Sequence, residues 1–148
     1  MDDRFELQRF VTAQRPVYEA VLSELRAGRK RSHWMWFIFP QISGLGHSLT
    51  SQTFALSSLA EAAAYLAHPV LGPRLRECAA LVASIEGRSA GEIFGHPDDL
   101  KFHSCMTLFA RAAPGEPIFG ACLRRYFGGQ PDPRTLASLS RIVEDRSD

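Results

Sequence analysis

Apolar residues return along this chain at steps of three and four, broken at short intervals by glycine, proline and capping residues, and that pattern predicts helix after helix. Leu71, Leu75, Cys78, Val82 and Ile85 advance by four, three, four and three residues and leave Arg74, Arg76 and Glu77 away from one apolar stripe that Gly87 closes. Val17, Val21 and Leu25 follow steps of four up to Gly28. Three capping boxes are readable, at Asp3-x-x-Glu6, Ser58-x-x-Glu61 and Ser89-x-x-Glu92, and Pro16 either kinks the first helix or opens the second. Pro97, Pro117 and Pro133 stand where a first-turn proline starts a helix, the last behind Asp132 as N-cap, and Gly128-Gly129 ends the penultimate one. No Asn-Gly or Asp-Gly turn joins two alternating runs, and no solenoid repeat is present. The expected fold is all-α: a compact single-domain, multi-helix array over residues 1–148.

Two segments break the simple amphipathic rule. Trp34 to Phe39 is six residues without a charge or breaker. A lone strand there has no partner for its ladder hydrogen bonds, so the segment reads as one extended or irregular connection buried in the core. From Pro97 to Ala112, Leu100, Phe102, Cys105, Met106, Leu108 and Phe109 cover most of the helix circumference, which is the pattern of a helix at the centre of its domain. That helix also carries Asp99, Lys101, His103, Ser104 and Thr107, and buried polar groups need partners or a wet cavity. Taken together they suggest a polar pocket.

Composition changes the picture little. The chain has 148 residues, 45% hydrophobic and 22% charged, with a formal net charge of +1, so there is no global field to gather nucleic acid or membrane and no strong nucleic-acid signal. The start, Met-Asp-Asp-Arg-Phe-Glu, is acidic where a secretory leader is basic and then apolar, and no apolar run approaches a membrane span of ~20 residues. A cytoplasmic protein is the expectation. Cys78, Cys105 and Cys122 lie far apart without zinc-type spacing and are expected to pack as small hydrophobes; no metal or cofactor is expected.

Candidate chemistry gathers at Arg29 to Gly46. Arg29, Lys30 and Arg31 follow a helix end, where they serve either as a solvated cap or as an anion or phosphate site. Trp34 and Trp36 point to the same side if the segment is extended, able to stack a planar ring or to fill core, and their N–H groups need acceptors. Gln41 offers a donor and an acceptor for the edge of an amide or base. Gly44 and Gly46 allow close backbone approach, but this G-x-G is no dinucleotide fingerprint. On the central helix, Asp99 and His103 are four apart and able to pair as a carboxylate orienting an imidazole for acid–base work.

These residues also carry a family resemblance. HWMWFIFPQ at His33–Gln41, GLGHS at Gly44–Ser48, HPVLGPRL at His68–Leu75 and IFGHPDDLK at Ile93–Lys101 resemble the domain of unknown function 1810 family, whose bacterial members are sometimes labelled calpastatin. The resemblance covers nearly the whole chain and implies a mostly helical single domain without a settled activity. Asp99, Lys101 and Ser104 match the family pattern, whereas Phe102-His103-Ser104-Cys105 stands where Leu-Arg-Ser-Ser is usual, so His103 lies outside it. A looser likeness, in helix order and an A-x-x-P…LG run, is to the NADAR superfamily, which implies ADP-ribose and N-glycosidic bond chemistry. The resulting expectation is a domain binding a small anionic, nucleotide-like or ADP-ribose-like ligand through Lys30, His33, Trp34, Trp36, Gln41, Ser48, Lys101 and Ser104. Asp99 and His103 would be catalytic if it hydrolyses an N-glycosidic bond. The alternative is a protein-binding or chaperone-like helper without catalysis.

Overall fold

A computed structural model of the chain describes residues 3–146, with side chains described through residue 142. Met1 and Asp2, where the acidic start begins, lie outside the described residues. In chain order the helices are α1 (Gln8–Gln14), α2 (Tyr18–Arg26), α3 (Met35–Ile38), α4 (Leu49–Thr53), α5 (Leu59–Ala67), α6 (Leu71–Ser84), α7 (Ala90–Phe94), α8 (Asp98–Ala112), α9 (Pro117–Phe127) and α10 (Pro133–Arg146). The fold is all-α. Among the described residues, β-type pairing is confined to one isolated bridge, Ile42 with Leu56, and no helix is long and apolar enough to cross a membrane.

The helix that is apolar nearly all round, α8, packs against α3, α5, α7, α9 and α10. Phe102, Cys105, Met106, Leu108 and Phe109 are fully buried, while Leu100 is exposed. Phe102 stacks on Phe94 at 4.7 Å and meets the edge of Phe39 at 5.0 Å, which joins α7 and the segment after α3 to the core. Leu71, Leu75, Cys78 and Val82 face inward from α6 as their spacing requires. All three cysteines are buried and free. Burial pushes the thiols of Cys78 and Cys122 up to about 12 and raises that of Cys105, so they pack rather than react.

The polar residues of α8 find partners instead of lining a pocket. Buried Ser104 and Thr135 share a hydrogen bond of 2.7 Å, and the Thr135 hydroxyl donates to Asp132 Oδ2 at 2.5 Å. Thr107 donates back to the carbonyl of His103 and accepts from the Asp132 amide, both at 2.9 Å. These bonds dock the start of α10 onto α8, with Asp132 capping the Thr135 amide as expected. The relay Ser104 to Thr135 to Asp132 has a direction. Thr135→Val orphans a buried hydroxyl and is expected to cost about 1–3 kcal/mol, whereas Ser104→Ala removes only the first bond and costs about 0.5–1.5 kcal/mol. Urea midpoints in the reverse order would overturn that direction.

Local signals explain most helix boundaries. The box at Ser89 and Glu92 is fully formed. At Ser58 the hydroxyl caps the Glu61 amide, but the Glu61 carboxylate binds the amide of Ser57 and Arg9 instead, because an ion pair with Arg9 at 3.0 Å draws it across to α1. The box expected at Asp3 and Glu6 does not form. Asp3 reaches further, to the amides of Leu7 and Gln8, so the helix starts later.

The connection from Trp34 to Phe39 is buried and irregular around a single helical turn, α3. It tolerates burial because its backbone groups are paired: the Phe37 carbonyl accepts from the Gln14 side chain at 2.7 Å, and further on Gln41 O accepts from Leu56 N at 2.8 Å. The turn changes the relation of the two indoles. Residues two apart on an extended chain share a side, but on a helical turn they diverge. Trp34 is fully buried and Trp36 only half-buried.

Candidate ligand cleft and its surroundings

Glu24, on α2, organises the entrance to this segment. Its carboxylate accepts from the amides of Arg31 (2.6 Å) and Ser32 (3.0 Å), from the Ser32 hydroxyl (2.5 Å) and from the Trp34 indole at 3.0 Å. Burial pushes the carboxyl up, yet those hydrogen bonds outweigh it and hold Glu24 below its usual range. The buried indole thereby gains the acceptor it needs.

Beyond Trp34 runs a chain of charges. Lys30 Nζ lies over the Trp34 ring at 5.4 Å and 2.8 Å from Asp98 Oδ2. Asp98, in the first turn of α8, also binds Lys101 at 2.8 Å, and Lys101 lies over the Trp36 ring at 4.6 Å. Burial raises the Asp98 carboxyl, but the bonds from Lys101 and Lys30 outweigh that and keep it ionised. Two ammonium groups thus share one carboxylate. The side chains are only 9%, 18% and 20% exposed for Lys30, Asp98 and Lys101, so one positive charge remains in a largely covered place.

Trp36 also lines a cleft of about 110 Å³ with Gln41, Gly44, Gly46, Ser51 and Gln52. The Gln41 side-chain amide has no partner among the described residues, although its backbone carbonyl is pinned by Leu56. Gly46 lets the rim close up: a β-carbon there would stand 2.6 Å from Ser51 Oγ.

The structure therefore brings together part of the expected set. Trp36 and Gln41 share the cleft, Lys101 covers the ring of Trp36, and Lys30 joins them through Asp98. Trp34 is a core residue and offers no platform. Ser48 caps α4 by accepting from the Ser51 amide, Ser104 is held by Thr135, and His33 is exposed. The Asp99–His103 pair is not formed. Asp99 binds His96 at 3.1 Å, and His103 is drawn the other way, stacked on Phe127 at 3.9 Å and bonded to the Gln130 carbonyl at 2.8 Å. Neither lines the cleft.

Sequence reasoning missed Asp98 and Glu24. Asp98 stands three residues before Lys101, a spacing that signals a helical ion pair. Glu24 is ten residues from the indole it satisfies, and only the rule that a buried indole N–H requires an acceptor pointed to such a group.

The geometry can be set beside known proteins. Among curated proteins no match is found. The chain is similar to the crystal structure of the conserved hypothetical protein Rv1873 from Mycobacterium tuberculosis, with 59% identity over 93% of this chain and 99% of that one and a TM-score of 0.92. The description "Protein of unknown function (DUF1810)" matches residues 4–139, and with nearly the whole helical array included, the chain belongs to this DUF1810 family.

Proposed function

We propose that the cleft at Trp36 and Gln41 binds the planar, amide- or base-like head of a small nucleotide-like ligand. The observation that carries this reading is that Gln41, whose side-chain amide has no protein partner among the described residues, lines a cleft walled by an aromatic ring. At about 110 Å³ the cleft is smaller than the ~150 Å³ cavity that accepts benzene. It therefore takes a carboxamide or one ring edge, and the remainder of the ligand lies over the rim, with its negative charge toward Lys101. Binding is the proposed role. An N-glycosidic hydrolysis needs a carboxylate at the reacting carbon, and Asp99 lies outside the cleft lining. A protein-docking helper needs a contiguous apolar face, and the large exposed apolar residues among those described, Leu49, Leu59 and Leu100, fall on three separate helices.

The test is a thermal-shift screen with nicotinamide, nucleotides, NAD and ADP-ribose. A ligand at ~100 times its dissociation constant adds about 2.7 kcal/mol of stability. Gln41→Ala should leave the unliganded stability nearly unchanged and abolish the shift. A variant that binds as wild type does, or a screen with no shift at all, would sink the reading.

A further inference from the structure

At its Lys30 end the charge chain reaches a second groove, of about 380 Å³, walled by Arg29, Lys30, Arg88 and Glu92 with the bare backbone of Gly91 and Gly95. Several arginines are committed to partners within the protein. Arg9 binds Glu61 and several carbonyls, Arg76 binds Glu116, and Arg125 and Arg134 hold the carbonyls of Ile85 and Leu45. The guanidiniums of Arg29 and Arg88, both exposed, have no hydrogen bond or ion pair among the described residues, and Arg88 acts on Glu92 through its charge alone. Both line the groove, and Arg88 Nε lies 3.5 Å from where a β-carbon of Gly28, the residue before Arg29, would stand. The groove's walls are also fixed to each other. Lys30 N donates to the Ile93 carbonyl at 2.8 Å and Arg29 N to the Glu24 carbonyl at 3.0 Å.

The charge balance favours an anion. Arg29, Lys30 and Arg88 face one carboxylate, Glu92, which is engaged by the amide of Ser89 at 2.9 Å. Behind Lys30, the shared Asp98 leaves the Lys30–Asp98–Lys101 chain one positive charge in excess. Two guanidiniums lining one groove suit the paired oxygens of a tetrahedral oxyanion better than a single charge. We infer that this groove is a phosphate site, binding inorganic phosphate or a small phosphomonoester through Arg29 and Arg88 with Lys30 as the third cation. It stands independently of the Trp36 cleft.

The experiment is a ¹H–¹⁵N NMR titration of the full chain with inorganic phosphate and, separately, ribose 5-phosphate, at constant ionic strength made up with chloride. Saturable shifts are expected at the amides of Gly91 and Gly95 and at the Nε–H of Arg29 and Arg88. Arg29→Gln and Arg88→Gln should each weaken binding about tenfold or more, while Arg124→Gln, at an exposed position on α9, leaves it unchanged. Tighter binding of ribose 5-phosphate identifies a phosphomonoester as the ligand, and equal affinity identifies the free ion. Shifts that never saturate, arginine variants that bind as wild type, or an equal loss in Arg124→Gln would each overturn the assignment. Amide spectra unchanged outside the groove show that the variants fold, and nicotinamide or NAD binding measured in Arg88→Gln keeps a failure here separate from a failure of the cleft.

Discussion

Trp34→Ala is expected to destabilise the protein by about 3–5 kcal/mol, the range for deleting a large aromatic from a packed core. The indole is fully buried, inclined against Phe39 at 6.3 Å, with Lys30 across its face. It is also one of four donors to Glu24, so its removal loosens the clamp that sets the path of residues 31–34. Glu24→Ala should cost about 1–3 kcal/mol by leaving the buried indole N–H without an acceptor, and the double variant should cost less than the sum because the two share a bond. The pH dependence has a definite sign. The folded-state pKa of Glu24 lies below its ordinary value of 4.5, so its contribution is present above that value and is lost as pH falls through the lowered one. The stability gap between wild type and Glu24→Ala should therefore narrow on acidification. Denaturation in urea at neutral and acid pH measures both effects. Half-buried Trp36→Ala should cost less than Trp34→Ala, and an equal or larger cost would show that the two indoles have been assigned the wrong environments.

Gly72→Ala is the second large effect, about 3 kcal/mol, at the upper end of what overpacking costs. A β-carbon at residue 72 would stand 2.1 Å from the Leu66 carbonyl oxygen and 2.9 Å from its carbon, both backbone atoms. The obstacle cannot rotate away. Moving it drags the end of α5, which is packed on α8, away from the start of α6. The corner is already tightened by His68, whose Nδ1 accepts from the amides of Val70 and Leu71 at 3.1 and 3.3 Å. For a chain of this length the melting temperature should fall by about 6–12 °C. Gly115→Ala, where nothing lies within 4 Å of the added carbon, is the control. A Gly72 variant that melts with wild type would show slack between α5 and α6.

How much of this was legible depends on how far each interaction reaches along the chain. The stripe of α6 and the all-round apolarity of α8 were readable because a helix repeats every 3.6 residues, so its buried face is written into adjacent sequence. The box at Ser89 was readable because cap and partner are three residues apart. The box at Asp3 failed, and that at Ser58 was only half made, where a more distant amide donor or cation competed for the same carboxylate.

The candidate site shows the same division. The sequence alone determined the helical class, the central place of α8, and the concentration of tryptophan, glutamine and cations between Arg29 and Gly46. Tertiary structure decided which of these residues meet. Helical spacing allowed Asp99 to reach either His103 or His96, and the face of Phe127, brought over by α9, took His103 away. Two indoles two residues apart were separated into core and cleft by a single helical turn. Asp98 became the shared partner of Lys30 and Lys101 because the loop after α2 packs beside the first turn of α8. Each of those outcomes is a competition among several local options of similar energy, settled by contacts between residues far apart in the chain, and periodicity and spacing carry no information about such contacts.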